Sequence, residues 1–349
     1  METENMNQEN ISQEEINKEN ECLDQPSYST TSLININGTS ANRLMVVYRM
    51  VGCKYGKCTM CDFAHYKNSK ITEENIKKQH VGTLKILNDS DKNIEHFDLL
   101  TLGNFFNDEE ASPSLREFLL KSLAKIPTLK RVLTESRREY LTLEKLKEAK
   151  SYLREDQILE FAIGYESSND SVRNEILNKE LPEHHLDEVL EICKEANVNF
   201  VSYVLIKPHL LTELEGIQDS VNTAVHVLEK AKRHGVSARI AFEPVFVTQK
   251  NILNYLWKKG KYTPPKLWSI VEVLRQTGSR LNESNLKGKL FVGLSDENLS
   301  SKRMTSNCGI CDEDIKKEIQ SFNGHQNISR LAEINHSCCK ADWEEMLNK

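Results

Sequence analysis

The chain has 349 residues, a net formal charge of −6 and a mean hydropathy of −0.54. No apolar run approaches the roughly 20 residues that a membrane-spanning helix needs, no charged start followed by an apolar block marks secretion, and no overall positive field would hold a polyanion nonspecifically. Nine cysteines, an odd number gathered in short motifs, point to metal ligation in a reducing cytoplasm and not to a disulfide framework.

Residues 1–40 are rich in Asn, Glu, Gln, Ser and Thr, and are expected to form a disordered tail in which Cys22 stands alone. A β-rich segment, Leu44 to Tyr48, then leads into Gly52-Cys53-Lys54-Tyr55-Gly56-Lys57-Cys58-Thr59-Met60-Cys61-Asp62-Phe63. Here Cys53, Cys58 and Cys61 share one short loop with the spacing C-x4-C-x2-C. Three thiolates turned toward one point hold three irons of a [4Fe-4S] cluster and leave the fourth iron without a protein ligand. An open iron can chelate the amino and carboxylate groups of S-adenosylmethionine, and an electron from the cluster can break the sulfonium to give a 5′-deoxyadenosyl radical. The competing reading is a zinc knuckle, with His65 as fourth ligand.

Beyond the loop, strand-like and helix-like segments alternate, which is the pattern of a parallel α/β sheet. Candidate strands at Leu44–Tyr48, His96–Leu102, Arg131–Glu135, Leu159–Gly164, Phe200–Ile206 and Ser237–Phe242 predict a partial (βα)6 barrel over residues 41–250. The loops at the strand ends of such a barrel converge on one mouth. The second offers Gly103 for close backbone approach and Asn104 for its amide. The third offers Glu135, chosen for a cofactor contact, with Ser136. The fourth offers Glu166 and Ser167 for ribose hydroxyls or a cofactor carboxylate, and Arg173 for a carboxylate. Ser168 to Asp170 would serve equally as helix caps, and Glu166 as the partner of a lysine. Lys207, before Pro208, is placed to meet substrate, phosphate or solvent.

Residues 251–300 read as a lid or substrate region, whose mixture of lysines, Trp257, Tyr262 and Trp268 suits either RNA or a rigid Pro-fixed cover. Residues 301–349 read as a cysteine-rich extension with a helix over Asp312 to Phe322. Cys308 and Cys311, with Cys338 and Cys339, form a second metal pattern for zinc or an auxiliary cluster, with His336 as an alternative fourth ligand. Cys193, on a barrel helix, reads as core.

From Arg43 to Trp343 the sequence resembles the radical SAM superfamily, in the branch with the elongator-type core, and is most similar there to the archaeosine-biosynthesis radical SAM family (RaSEA). The resemblance rests on Cys53, Cys58-Thr59-Met60-Cys61, Gly103-Asn104-Phe105-Phe106, Glu135-Ser136-Arg137, Ala162-Ile163-Gly164 with Glu166, Lys207-Pro208, Tyr262 with Pro264-Pro265 and Leu267-Trp268-Ser269, and the late cysteines with Trp343. It implies Phe63 beside the adenine and the Gly103-Asn104 loop at the methionine amino group. It also implies action on a lysine adduct of a 7-deazaguanine base in tRNA, with C–N cleavage, a nucleoside-modifying partner enzyme and a reductant such as ferredoxin or flavodoxin. The superfamily's commonest motif has one residue fewer between the first two cysteines, and His209 stands where the family usually has a second proline. Two other readings are radical chemistry on a small metabolite or peptide, and a noncatalytic iron-sulfur or zinc protein that binds RNA or a partner.

Overall fold

The computed structural model describes residues 23–89, 92–299, 301–334 and 338–348. Eight strands lie in one sheet in chain order: β1 (Tyr28–Ile36), β2 (Thr39–Val47), β3 (Ile94–Leu100), β4 (Arg131–Glu135), β5 (Ile158–Glu166), β6 (Asn199–Ile206), β7 (Ala238–Pro244) and β8 (Lys289–Val292). β1 is antiparallel to β2, and every later neighbour is parallel. Parallel neighbours need crossovers. These are supplied by α1 (Glu73–Asp89), α2 (Pro113–Ala124), α3 (Leu143–Ser151), α4 (His184–Ala196), α5 (Glu213–His234), and the pair α6 (Ile252–Lys258) and α7 (Leu267–Glu283). The six strands expected from the sequence are β2 to β7, and the partial α/β barrel stands with two strands added.

Strand side chains alternate between faces, and the two sets do different work. Val46, Phe97, Leu99, Val132, Phe161 and Phe200 pack outward against the helices. Met45, Val47, Leu100, Leu133, Ala162, Val201, Ala241 and Phe291, drawn from seven strands, meet in a second apolar layer inside. Residues from opposite ends of a flat sheet could not share a cluster, so the sheet is curled. Beside that layer lies a ring of buried charge: Arg43 Nε to Asp98 Oδ2 at 2.7 Å, His96 Nε2 to Asp98 Oδ1 at 2.6 Å, and Glu160 held by Arg131 at 3.0 Å and Arg239 at 2.7 Å. Phe291 of β8 lies 4.7 Å from the Arg43 guanidinium of β2, which spans the curl. Burial alone would raise the Asp98 pKa, but Arg43, His96 and Arg239 outweigh it and hold the carboxyl well below the usual range.

β8 and β1 do not pair, and a cavity of about 760 Å3 opens between them. Beside this seam lies α8 (Asp312–His325). Asn323 bonds both the N–H and the carbonyl of Val292, at 2.9 and 3.0 Å, and Gln326 does the same for Leu290, at 2.9 and 2.7 Å. Two side-chain amides thus take the place of a neighbouring strand, which satisfies the edge that β8 would otherwise expose. On the other side, Asn35 of β1 donates to Gly324 O at 2.7 Å. A Cβ at Gly324 would come within 2.5 Å of Ser40 Oγ and 3.2 Å of Leu33 Cβ, so a larger residue there would make Ser40 and Leu33 give way. Two short helices, α9 (Ile328–Ala332) and α10 (Lys340–Leu347), complete the chain.

Two boundaries differ from the sequence reading. The tail expected over residues 1–40 gives way to β1 at Tyr28, and residues 1–22, Cys22 among them, lie outside the described residues. The region 251–300 is not separate from the barrel, because α7 packs against α5 and β8 joins the sheet. No helix among the described residues is long and apolar enough to cross a membrane.

Candidate active site

The loop after β2 carries Cys53, Cys58 and Cys61, and loops from four other strand ends pin it. After β3, Gly103 passes so close that a Cβ there would lie 3.3 Å from the Cys53 nitrogen and 2.2 Å from Glu110 Oε2. Asn104 Nδ2 is 3.6 Å from Cys53 Sγ, and its Oδ1 accepts from the Arg137 N–H after β4 at 2.9 Å. After β5, Thr59 donates through its N–H to Leu177 O at 3.1 Å and through its hydroxyl to Ile176 O at 2.8 Å, while Asn178 Nδ2 donates to Lys57 O at 3.1 Å. After β7, Asn251 Nδ2 donates to Met60 O at 2.8 Å. Positive φ at Gly52 (88°) and Gly56 (60°) provides the turns inside the loop.

Three strand ends around this mouth leave ordinary backbone geometry: Leu102 (φ 50°), Glu166 (φ 67°) and Lys207 (φ 59°). Left-handed non-glycine residues cost about 1–3 kcal/mol each, and such strain gathers at functional sites. At Glu166 it turns a buried carboxylate whose Oε1 pairs with Lys179 Nζ at 2.9 Å and whose Oε2 has no hydrogen-bond partner. Despite burial, the Lys179 pKa is raised by Glu166 and by Cys58. A buried ammonium therefore stands by the cysteine loop.

The three thiols share one loop after β2. Members of this triad sense one another electrically, since burial first and then Cys58 raise the Cys61 thiol, with a smaller contribution from Cys53. Yet they are absent from the groups whose ligand atoms all lie within 4.8 Å of one another. His65 is in no group of this kind with them among the described residues.

The remaining expected residues divide. Glu135 faces the barrel interior with Glu243 of β7 and Glu297 after β8. Burial, and after it the charge of Glu297, push Glu135 and Glu243 to about 8, and burial raises Glu297 to about 7. Phe63 packs with Tyr66, Tyr203 and Phe246 around the inner layer, its N–H 3.4 Å from Cys61 Sγ. Ser136 Oγ accepts from Phe106 N–H at 3.4 Å, and Ser167 Oγ donates to Asp219 Oδ1 at 2.6 Å, so both hydroxyls join loops to the barrel. Arg173 is corrected from a cofactor contact to a core residue. Its guanidinium is 0% exposed and engaged by Leu181 O, Ser167 O and Asp170 at 2.7 to 2.8 Å. Lys207 is buried, pairs with Glu213 at 2.6 Å and donates to Thr263 O at 2.9 Å. Trp268 and Tyr262 are buried, as a rigid cover requires, whereas Tyr255 is 60% exposed.

Sequence reasoning missed Glu110. It is 5% exposed and accepts from Lys54 N–H at 3.0 Å, Asn104 Nδ2 at 2.9 Å and Asn107 Nδ2 at 2.8 Å, so it orients the cysteine loop from below. Nothing in Asp108-Glu109-Glu110 separates it from its exposed neighbour. Apart from this loop, Cys308, Cys311, Cys338 and Cys339 come together with every Sγ within 4.8 Å of the others, while His336 lies outside the described residues. Cys193 is fully buried on α4.

The chain is 32% identical over 310 residues to an uncharacterized protein of Methanocaldococcus jannaschii, covering 86% of this chain and 80% of that one. It is 29% identical over 329 residues to the archaeosine synthase subunit beta of Methanosarcina acetivorans, covering 93% and 90%. Among solved structures, a radical SAM methyltransferase from Sphaerobacter thermophilus superposes with a TM-score of 0.49 at 13% identity, over 76% of this chain and 74% of that one. No family profile matches the chain.

Proposed function

We propose that the chain is a radical SAM enzyme, a reading that its likeness to archaeosine synthase subunit beta supports, and that it cleaves S-adenosylmethionine reductively and abstracts hydrogen from a 7-deazaguanine-type nucleoside of tRNA. Cys53, Cys58 and Cys61 would hold the [4Fe-4S] cluster, and when bound it supplies the electron that opens the sulfonium to a 5′-deoxyadenosyl radical. The observation that carries this reading is the junction of Cys53, Asn104, Glu110 and Arg137, where three strand-end loops are locked around one cysteine.

The chain's own groups have definable tasks there. Glu166 keeps one carboxylate oxygen open for a hydroxyl or amino donor of the cofactor, while Lys179 holds the other. Glu135, raised to about 8, is neutral through most of the physiological range and can donate a hydrogen bond inside the barrel. Phe63 offers an apolar face beside the loop. The relative named archaeosine synthase subunit beta supports a partner subunit and a tRNA substrate; C–N bond cleavage is part of the proposal. An electron donor such as ferredoxin or flavodoxin would serve it in the cytoplasm.

Anaerobic reconstitution followed by reduction in the presence of S-adenosylmethionine is expected to yield 5′-deoxyadenosine, and Cys58→Ala to abolish both iron loading and product. A fully loaded cluster with no product would overturn the radical reading. Mass spectrometry of tRNA nucleosides from cells with and without the gene tests the substrate. Identical nucleosides in both would move the chemistry to a small metabolite.

A further inference from the structure

We propose that Cys308, Cys311, Cys338 and Cys339 hold one tetrahedrally coordinated zinc ion, which locks the helix beside the barrel seam. The sulfurs are separated by 3.8 Å (Cys308 to Cys311), 3.5 Å (Cys308 to Cys338), 3.6 Å (Cys311 to Cys339) and 3.9 Å (Cys338 to Cys339). A Zn–S bond of about 2.3 Å in tetrahedral geometry sets the edge between sulfurs at about 3.8 Å. A disulfide needs about 2.05 Å, so these are four thiols and not two bridges. A [4Fe-4S] cube seats each thiolate on its own iron at a separate corner, and this quartet is too compact for that. The early triad, whose members do not all come within 4.8 Å of one another, is the contrasting case.

The surroundings suit the charge of a metal bound by four thiolates. Cys311 and Cys339 are the residues immediately before α8 and α10, so two helix N-termini begin at the sulfur cluster and oppose its negative charge. Asn307 Nδ2 lies 3.6 Å from Cys311 Sγ. Asp312 Oδ1 accepts from the N–H groups of Asn307 and Gly309, each at 3.0 Å, and Gly309 at φ 88° makes the turn between the first two ligands. An all-thiolate tetrahedron selects zinc over harder divalent ions.

What the ion would hold follows from the helices it joins. α8 supplies Asn323, the amide bonded to the edge of β8, so an anchor at Cys311 fixes the helix that covers that edge. On α10, Trp343 Nε1 donates to Ser269 Oγ at 2.8 Å, and Ser269 Oγ donates to Glu213 at 2.6 Å. Glu213 in turn pairs with Lys207 at the mouth. Zinc held by these cysteines would thus bear on both the seam and one lysine of the rim.

The test is metal analysis of the full chain purified without added metal, beside a Cys53→Ala/Cys58→Ala/Cys61→Ala variant. One zinc per chain is expected in both, with cluster iron only in the first. Growth on cobalt should add thiolate-to-cobalt charge-transfer bands and tetrahedral d–d bands to the triad variant. Iron in place of zinc in that variant, or no metal and no cobalt spectrum, overturns the assignment. Hydrogen exchange tests the lock: Cys308→Ser/Cys311→Ser should lose zinc and exchange faster at Lys289–Val292 and Asp312–His325. Zinc loss with protection unchanged there overturns the lock. Should that variant not fold, chelation of zinc from the triad variant gives the same comparison.

Discussion

A single carboxylate, Glu110, shows how the cysteine loop is held. It gathers hydrogen bonds from the backbone of Lys54 and the side chains of Asn104 and Asn107 while almost wholly buried. Truncating it would leave those donors without partners, at about 1–3 kcal/mol for each buried group left unsatisfied. Glu110→Ala is therefore expected to lower the thermal midpoint and to reduce iron bound after reconstitution, more than Glu109→Ala on the exposed neighbour. Equal iron content in the two variants would mean that the loop holds its shape without this anchor. Sequence alone made the cysteines legible because their spacing encodes chemistry. Glu110 and Lys179 were not legible, because their roles exist only once separate loops are folded together. Arg173 failed for a related reason: a lone arginine at a helical turn looks the same whether it reaches a ligand or closes its own loop.

Among the elements, the strands that carried alternating apolar residues were legible and the others were not. β1 reads Tyr-Ser-Thr-Thr-Ser-Leu-Ile-Asn-Ile, and its first half borders the open seam, so its polar composition imitates a tail. β8 has only four residues between Gly288 and Gly293, too few for a period to register. The curl these strands create puts Glu135, Glu243 and Glu297 into one interior. There burial, with Glu297 acting on the other two, raises all three above the ordinary carboxylate range. A carboxyl raised on folding is protonated in the native state while the unfolded chain is ionised, so stability declines as pH rises from the unfolded value near 4.3 to the native value. That decline should begin near the unfolded value, end near pH 7 for Glu297 and continue to about pH 8 for Glu135 and Glu243. Glu297→Gln is expected to raise the urea midpoint at pH 8 and to change little at pH 5. A gain as large at pH 5 as at pH 8 would remove ionisation as its cause.

For the molecule as a whole, the distribution of charge matters more than its sum of −6. Residues 49–72 carry Arg49, Lys54, Lys57, Lys67 and Lys70 against one acid, Asp62, and residues 248–266 carry Lys250, Lys258, Lys259, Lys261 and Lys266 against none. The fold packs these stretches together. Asn251 bonds Met60 O at 2.8 Å, and the Lys250 ammonium lies 5.1 Å from the Tyr66 ring centre. Exposed Tyr255 stands on the same segment as a surface on which a base could stack. Glu109 and Glu180 pair with Lys54 and Lys57, so the cation excess beside the cysteine loop lies on residues 248–266. Such a patch on an acidic chain suits a polyanion guided to one place, where repulsion from the remaining surface disfavours other poses. If tRNA is that polyanion, its affinity should fall linearly with salt on logarithmic axes, each lost phosphate contact lowering the slope by about 0.7–0.9. Lys258→Glu with Lys259→Glu is expected to weaken tRNA binding and flatten the salt slope by about 1 to 2 units. Cleavage of S-adenosylmethionine in the absence of RNA should stay unchanged, because neither lysine takes part in the cysteine site. Binding with an unaltered salt slope would place the RNA elsewhere and leave this rim to an acidic protein, such as the electron donor.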